Sequence, residues 1–337
     1  MVKLSICIPT FNRARHLSNC LQSIISMNKP TGLNYEVCIS DNGSNDNTKK
    51  IVLKAKKKIK INYSRNEINL GIPRNFIKVV SMAVGEFVWL IGDDDLLLPH
   101  TLDTLKILFE KNKRVDFFYI NSFLLDTNYI LSFPQPFEIS NLPNNMKKFL
   151  SHEKSHELNF FELINPKVSF DFLGGMFLSI FKRKMWSENV NILNNEAIND
   201  TRVFSHFDNT FPHVKIFSKA FANSKAYFQL EPLSVCLSGA REWAQMNPLV
   251  SSIRLVEALH EYRKNGLNYF QYIYCKNKAL SNFIPHLLKM LLNKENSGYN
   301  YIILRKHIIN NMIYPNFYLS VIYYLNKKLK NILFNNK

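Results

Sequence analysis

Three aspartates follow one another without a break in Trp89-Leu90-Ile91-Gly92-Asp93-Asp94-Asp95-Leu96. Carboxylates this close repel, and burial would raise their pKa values. A divalent cation removes the conflict. Mn²⁺ or Mg²⁺ prefers oxygen ligands and takes one or two carboxylates together with substrate phosphates. Such an ion would neutralise charge building on a leaving diphosphate. The plainer alternative is a solvated acidic turn ahead of a helix starting near Pro99. The position directly after an apolar, strand-like run favours the metal reading.

That position depends on the elements around it. Leu4–Pro9 reads as a buried strand, and Leu17, Leu21, Ile24 and Ile25 give Arg15–Met27 a helical spacing. Tyr35–Ser40 is a second strand, closed by the turn sequence Asp41-Asn42-Gly43-Ser44. Asp46 or Asn47 would cap a helix over Thr48–Lys58. Lys60–Ser64, Pro73–Val84 and Glu86–Ile91 continue as strand, helix, strand. This alternation predicts an α/β fold with a mostly parallel sheet flanked by helices. Ligands of such sheets bind beyond the carboxyl ends of the strands. The polar clusters at Thr10–Arg13, Asp41–Asp46 and Asp93–Asp95 fall there.

After residue 100 the rhythm changes. A helix over His100–Lys111 and a strand over Val115–Ile120 precede a polar, aromatic, poorly periodic stretch from Asp126 to Phe160. Phe172–Phe181 reads as a further strand region, Lys182–Ser187 as a helix and Lys225–Cys236 as short strands. From Pro248 onward the pattern is helical and basic. The expected division is one unit over 1–240, made of two halves, 1–105 and 106–240. A helical C-terminal region follows over 241–337.

Lys and Arg outnumber Asp and Glu by 43 to 26, a formal charge of +17 that points to an anionic partner. Compositional drift in an Asn-, Lys- and Ile-rich chain explains the charge equally well. Five cysteines with no CxxC pair argue against a disulfide framework or zinc knuckle and for reduced, cytosolic thiols. No signal peptide is recognised, and no apolar run reaches the ~20 residues that span a bilayer. The expectation is a cytoplasmic protein, or a peripheral one on the inner face of the cytoplasmic membrane.

Four segments in order carry a resemblance: Ser5-Ile6-Cys7-Ile8-Pro9-Thr10-Phe11-Asn12-Arg13, Ser40 through Asp46, Asn66 through Asn75, and Gly92-Asp93-Asp94-Asp95. Together they resemble family-2 glycosyltransferases of the GT-A fold, in the abequosyltransferase-like O-antigen subgroup. The resemblance covers about the first 105 residues, is loose to residue 240 and absent beyond. It implies a metal-dependent, inverting transfer of a sugar from a nucleotide-diphosphate donor to a saccharide or lipid-linked saccharide acceptor, in surface polysaccharide or lipopolysaccharide synthesis. Pro9, Thr10 and Arg13 would line the nucleotide pocket, and Asp41 would accept a bond from the base. The alternative for Asp41 is an Asx turn. Asn69, Gly71 and Asn75 match the family's Asn-x-Gly segment, where Gly71 would let backbone approach the nucleotide. Arg74 would meet phosphate or stand solvated. Aligned back from Leu98-Pro99, the family's usual first aspartate falls on Gly92. The metal position then falls on Asp94, with Asp95 as a further ligand and Asp93 on the donor side.

An inverting transfer needs a base for the acceptor hydroxyl. The Glu-Asp pair many family members carry is missing from Asn199 to Val214. Asp208 and His213 stand in its place, ahead of Asp200 and His206. Their alternatives are a turn cap and a packed helix residue. Gly174-Gly175 would admit the acceptor or make a tight bend. Arg241 and Trp243 would close over the diphosphate and sugar, or Trp243 would pack in the core. The basic, aromatic C-terminal helices would lie on an anionic membrane. An inactive relative that only binds a partner remains open. A nucleotidyltransferase would need a Gly-rich loop with lysine after the first strand. A nucleic-acid binder would need a clustered basic face and a reading motif. None of these is present, so no nucleic-acid partner is expected.

Overall fold

The computed structural model describes residues 2–150, 154–169, 171–239 and 243–334, with side chains described to residue 326. The first half alternates as expected: β1 (Leu4–Thr10), α1 (Ala14–Ile25), β2 (Tyr35–Asp41), α2 (Thr48–Ala55), β3 (Ile61–Arg65), α3 (Ile72–Ser81) and β4 (Phe87–Leu90). Then come β5 (Leu96–Leu97), α4 (Thr101–Lys111), β6 (Val115–Asp126), α5 (Thr127–Leu131), β7 (Lys147–Lys148), β8 (His156–Asn159) and β9 (Ser179–Lys182). Helices α6 (Arg183–Asn189), α7 (Asn195–Asn199), α8 (Phe207–Thr210) and α9 (Pro212–Ala220) lead to β10 (Lys225–Ser238). The rest is helical: α10 (Asn247–Leu249), α11 (Leu255–Lys264), α12 (Tyr269–Ala279), α13 (Phe283–Leu292) and α14 (Pro315–Phe334).

One sheet runs β3-β2-β1-β4-β9-β6-β10-β5, with β7 on β6 and β8 on β10. Strands β3, β2, β1 and β4 are parallel, and β9 is antiparallel to both β4 and β6. Every residue of β1 is buried, as a strand covered on both faces must be. Register places Thr10 beside Asp41 and Asp41 beside Arg65, so the ends of three strands meet at one edge. Because β9 runs backward, the segment before it, Asp171–Leu178, reaches that same edge next to β4. Beyond β9, Phe117, Phe181, Phe217 and Phe221 pack edge to face and anchor α9 on the sheet. Each fully buried aromatic contributes roughly 1.5–3 kcal/mol.

Three expectations change. Strand β6 runs six residues past Ile120. The polar Asn121 does not end it, because its amide bonds the Leu150 and Leu230 carbonyls and the Leu150 N–H. Most of Phe172–Phe181 is not strand. Phe172 and Leu173 take positive φ, and the Asp171 carboxylate accepts the Gly175 N–H, making a turn. The short strands expected over Lys225–Cys236 form one strand whose register shifts between Gln229 and Ser234.

Candidate functional site

The site grows out of the loops at the carboxyl edge of the sheet. Asn12, just past β1, takes φ 53°, a left-handed conformation that Asn tolerates better than most side chains. Its N–H donates to Ser44 Oγ at 2.8 Å, and its Oδ1 accepts the Asn45 N–H at 2.7 Å. Asp46 accepts the Ala14 N–H with one oxygen and the Thr48 N–H and hydroxyl with the other. The loops after β1 and β2 are thereby stitched together, and the first N–H of each helix has an acceptor.

That stitching aims Arg13 at the aspartates. Its Nε lies 2.9 Å from Asp93 Oδ1 and its Nη2 2.8 Å from Asp94 Oδ2. Thr10 donates its hydroxyl to Asp93 Oδ2 at 2.7 Å. Asp95 turns the other way and accepts the Gly92 N–H at 2.7 Å. The repulsion expected of three adjacent carboxylates is thus met in two ways. A guanidinium fork bridges the first two, and the third closes its own loop. Asp95, expected as a metal ligand, is 3% exposed and is not brought to the open face, because its carboxylate serves the Gly92 amide. Asp94 keeps Oδ1 without a hydrogen-bond or ion-pair partner among the described residues. Cys20 lies beneath the loop, its thiol pushed well up by burial and then by Asp95, Asp93 and Asp94.

Gly92 explains the departure from the more common aspartate. A Cβ there would lie 2.6 Å from Asp94 Oδ1 and 3.1 Å from Asp95 Oδ2. The carboxylates occupy the space a side chain would need.

The neighbouring loops rest on an amide network. Asn42 donates to Asn69 Oδ1 at 2.7 Å and accepts from Asn66 and the Leu70 N–H. Asn69 also accepts the Gly71 N–H. Gly71 has φ 83°, which a side chain would strain. Asn75 holds the Ser40 hydroxyl and carbonyl, tying α3 to β2. Asn69 and Asn75 therefore tie the loop before α3 and its first turn to the end of β2. Asp41 is fully buried: Oδ1 accepts the N–H of Ser44, three residues on, which ties down the turn without making the two-residue bond of an Asx turn, and Oδ2 accepts the Tyr63 hydroxyl at 2.7 Å. Pro9 is a buried strand residue and Arg74 stands exposed.

The two base candidates part company. His213 is 2% exposed and lies between the Phe211 and Phe217 rings. Its Nε2 is 3.0 Å from the Gly174 carbonyl. A carbonyl only accepts, so Nε2 carries the proton and Nδ1 the lone pair. Nδ1 is buried with no hydrogen-bond partner among the described residues. Burial pushes the pKa down to about 4. His213 is therefore a packed helix residue holding the glycine turn. Cβ atoms at Gly174 or Gly175 would press on the Phe211 ring or the Asp171 carboxylate, so that pair makes the tight bend. Asp208 borders a cavity of about 270 Å³ with Asn194, Glu196, Ala197, His206, Phe207 and Lys215. It accepts the Asn194 N–H at 2.7 Å and pairs with Lys215 at 2.6 Å. Asp200 holds Arg202 and faces His206. A larger cavity of about 490 Å³ lies at the opposite end of the sheet, around Lys3 and Phe87, away from the aspartates.

The C-terminal region braces the Asp208 loop. Arg254, 2% exposed, donates to the Phe204 and Ser205 carbonyls and pairs with Glu257 at 2.6 Å. Glu257 also takes Lys306 and the His307 Nε2–H. His307 Nδ1 accepts the Ile303 N–H, which fixes that tautomer. Trp243 meets Phe204 edge to face at 5.1 Å, the packing use. Arg241 lies outside the described residues.

The burial of His213 has a measurable consequence. Unfolded imidazole takes up a proton below about pH 6.5, whereas the native residue does so only near pH 4. Between those values the unfolded chain binds more protons, so stability falls as pH falls. Urea unfolding at pH 7 and pH 5 should show His213→Gln losing about 2 kcal/mol less than the parent over that interval. Gln keeps a donor for Gly174, and an unchanged slope would contradict the assignment.

Known proteins match this chain in both sequence and fold. Residues 5–159 match the family model Glycosyl transferase family 2. Abequosyltransferase RfbV of Salmonella typhimurium is 42% identical over 105 residues, 31% of each chain. The GalNAc(5)-diNAcBac-PP-undecaprenol beta-1,3-glucosyltransferase of Campylobacter jejuni is 36% identical over 107 residues, 31% of this chain and 34% of that one. The chain thus spans about a third of the length of these relatives. The crystal structure of Staphylococcus aureus TarS 1–349 with UDP superposes with TM-score 0.55 at 16% identity, over 84% of this chain and 72% of that one. The fold is of the GT-A type, as expected, with a C-terminal helical region.

Proposed function

We propose that this chain, whose residues 5–159 match the family model Glycosyl transferase family 2, moves a sugar from a nucleoside-diphosphate donor to a saccharide or lipid-linked saccharide acceptor, in surface polysaccharide or lipopolysaccharide assembly. The observation that carries the reading is Thr10 and Arg13 organising Asp93 and Asp94 at the carboxyl edge of parallel strands. Residues 1–105 would take the donor, residues 106–240 the acceptor, and residues 241–337 would brace the acceptor side. The setting is the cytoplasmic face of the inner membrane.

The donor set fits a divalent ion that arrives with its substrate. Among the described residues no group of three ligating side chains forms a cage. Asp94, with one oxygen unpartnered among the described residues, suits Mn²⁺ or Mg²⁺ completed by donor phosphates and water. When bound, the ion supplies Lewis-acid neutralisation of the departing diphosphate. Asp93 orients the donor's ribose, held by Thr10. Arg13 supplies a fixed positive charge beside the phosphates. Asp41 faces the base through Tyr63 and Arg65, which it positions, and the Asn69–Gly71–Asn75 segment closes the pocket. Asp208 takes the acceptor hydroxyl proton. The acceptor oxygen bonds to the anomeric carbon as the sugar–phosphate bond breaks and the diphosphate leaves with the electron pair, inverting the centre.

Calorimetric titration with UDP, CDP, GDP and dTDP, with and without Mn²⁺, tests the donor site. One nucleotide should bind in a metal-dependent way. Folded protein that binds none of them refutes the reading. Gly92→Ala should weaken that binding about tenfold, roughly 1.4 kcal/mol, by pushing Asp94 off Arg13. A modest fall in melting temperature should accompany the loss, because the same Cβ would press on Asp95 Oδ2, which holds the Gly92 N–H. Wild-type affinity in Gly92→Ala would show that Asp94 does not meet the donor.

A further inference from the structure

We propose that the face built by α13 and α14 docks on an anionic lipid bilayer. In α14, Val321, Ile322, Tyr323, Tyr324 and Leu325 are exposed in succession. A helix that shows apolar side chains all round to water is not at rest there and needs an apolar neighbour. The end of α13 adds Leu288 and Leu292, the latter 88% exposed. The two helices share one face, since Phe283 packs on Phe317 and Lys289 lies 5.8 Å from the Tyr324 ring centroid.

Charge selects the occupant. Residues 265–337 hold ten Lys or Arg and a single acid, Glu295. Two copies meeting through this face would bring like charges together. Anionic head groups would instead neutralise them, at about 1 kcal/mol per basic residue near the surface. Tyrosines and lysines beside leucine and isoleucine suit the boundary between head groups and acyl chains. No helix among the described residues is long and apolar enough to cross a membrane, so the chain would lie on the surface. The inference deepens the transferase reading, on which it rests for its purpose: a chain held on the surface would work in the layer where a lipid-linked saccharide is met.

The test is co-sedimentation of the full chain with phosphatidylcholine vesicles, with or without about one-third phosphatidylglycerol. Binding should be at least about tenfold tighter to the anionic vesicles and weaken in high salt. The exposed double variant Leu292→Asp/Ile322→Asp should lose at least about tenfold. Absence of vesicle binding overturns the proposal, as does binding that the double variant leaves intact. A stable oligomer in sedimentation velocity that the double variant dissociates also overturns it, by assigning the face to self-association. Nucleotide calorimetry on the same preparation reads the donor site separately, so either idea can fail alone.

Discussion

Asp94→Asn should lower kcat/KM for the proposed sugar transfer by about 10²–10³, the scale of losing one preorganised electrostatic contact to a developing charge. The substitution keeps the shape of the side chain and removes its charge. Asp94 keeps Oδ1 without a partner among the described residues, and its side chain is 18% exposed. The fold should therefore tolerate the change, and the melting temperature should stay within a few degrees of the parent. Arg13 retains Asp93, which Thr10 also holds. The effect should appear as a loss of Mn²⁺ dependence in both nucleotide binding and turnover. Asp95→Asn should behave differently. Asp95 is nearly buried and serves the Gly92 amide, so its loss should show first in stability. Unaltered, metal-dependent transfer by Asp94→Asn would remove this residue from the ion site.

The contrast between Asp94 and Asp95 also measures what the sequence could say. Their adjacency announced a charge problem after a strand, and the strands themselves were legible from their apolar runs. The direction each carboxylate takes was not. It depends on Arg13, which reaches across from another loop, and on the Gly92 amide, a backbone group with no sequence signature. Asn69 and Asn75 were legible as a motif, but their use was not. The partners Asn42 and Asn66 lie apart in the chain and meet only because β2, β3 and α3 converge. The Asp171 turn was read as a strand because its residues are apolar. Nothing in Phe172 or Leu173 signals a positive φ that a carboxylate four residues from Gly175 enforces. The Arg254–Glu257 brace was missed for the same reason. Its members look like an ordinary i, i+3 surface pair until tertiary packing buries them.

That brace bears on the remaining large effect. Asp208→Asn should lower kcat by about 10²–10⁴, the range for a general base, while leaving nucleotide affinity unchanged. The carboxylate borders the cavity of about 270 Å³, and its loop is pinned by Arg254 on the Phe204 and Ser205 carbonyls and by the Asn209 amide on the Asp200 and Arg202 carbonyls. A base needs that fixity, because proton transfer depends on holding the acceptor oxygen within hydrogen-bond reach. Lys215 and the Asn194 N–H both address Oδ2, so an acceptor hydroxyl would approach Oδ1. Asn preserves the size of the side chain but not the affinity for a proton. Loss of kcat with donor binding intact would place Asp208 on the acceptor side of the chemistry. Loss of both would mean that the substitution freed Lys215 and collapsed the pocket. Lys215→Met separates these cases: it removes the cation but leaves the carboxylate, and should cost far less in kcat than Asp208→Asn if the proton goes to Asp208. Equal losses in the two variants would make the pair structural and return the search for the base to Asp200 and His206.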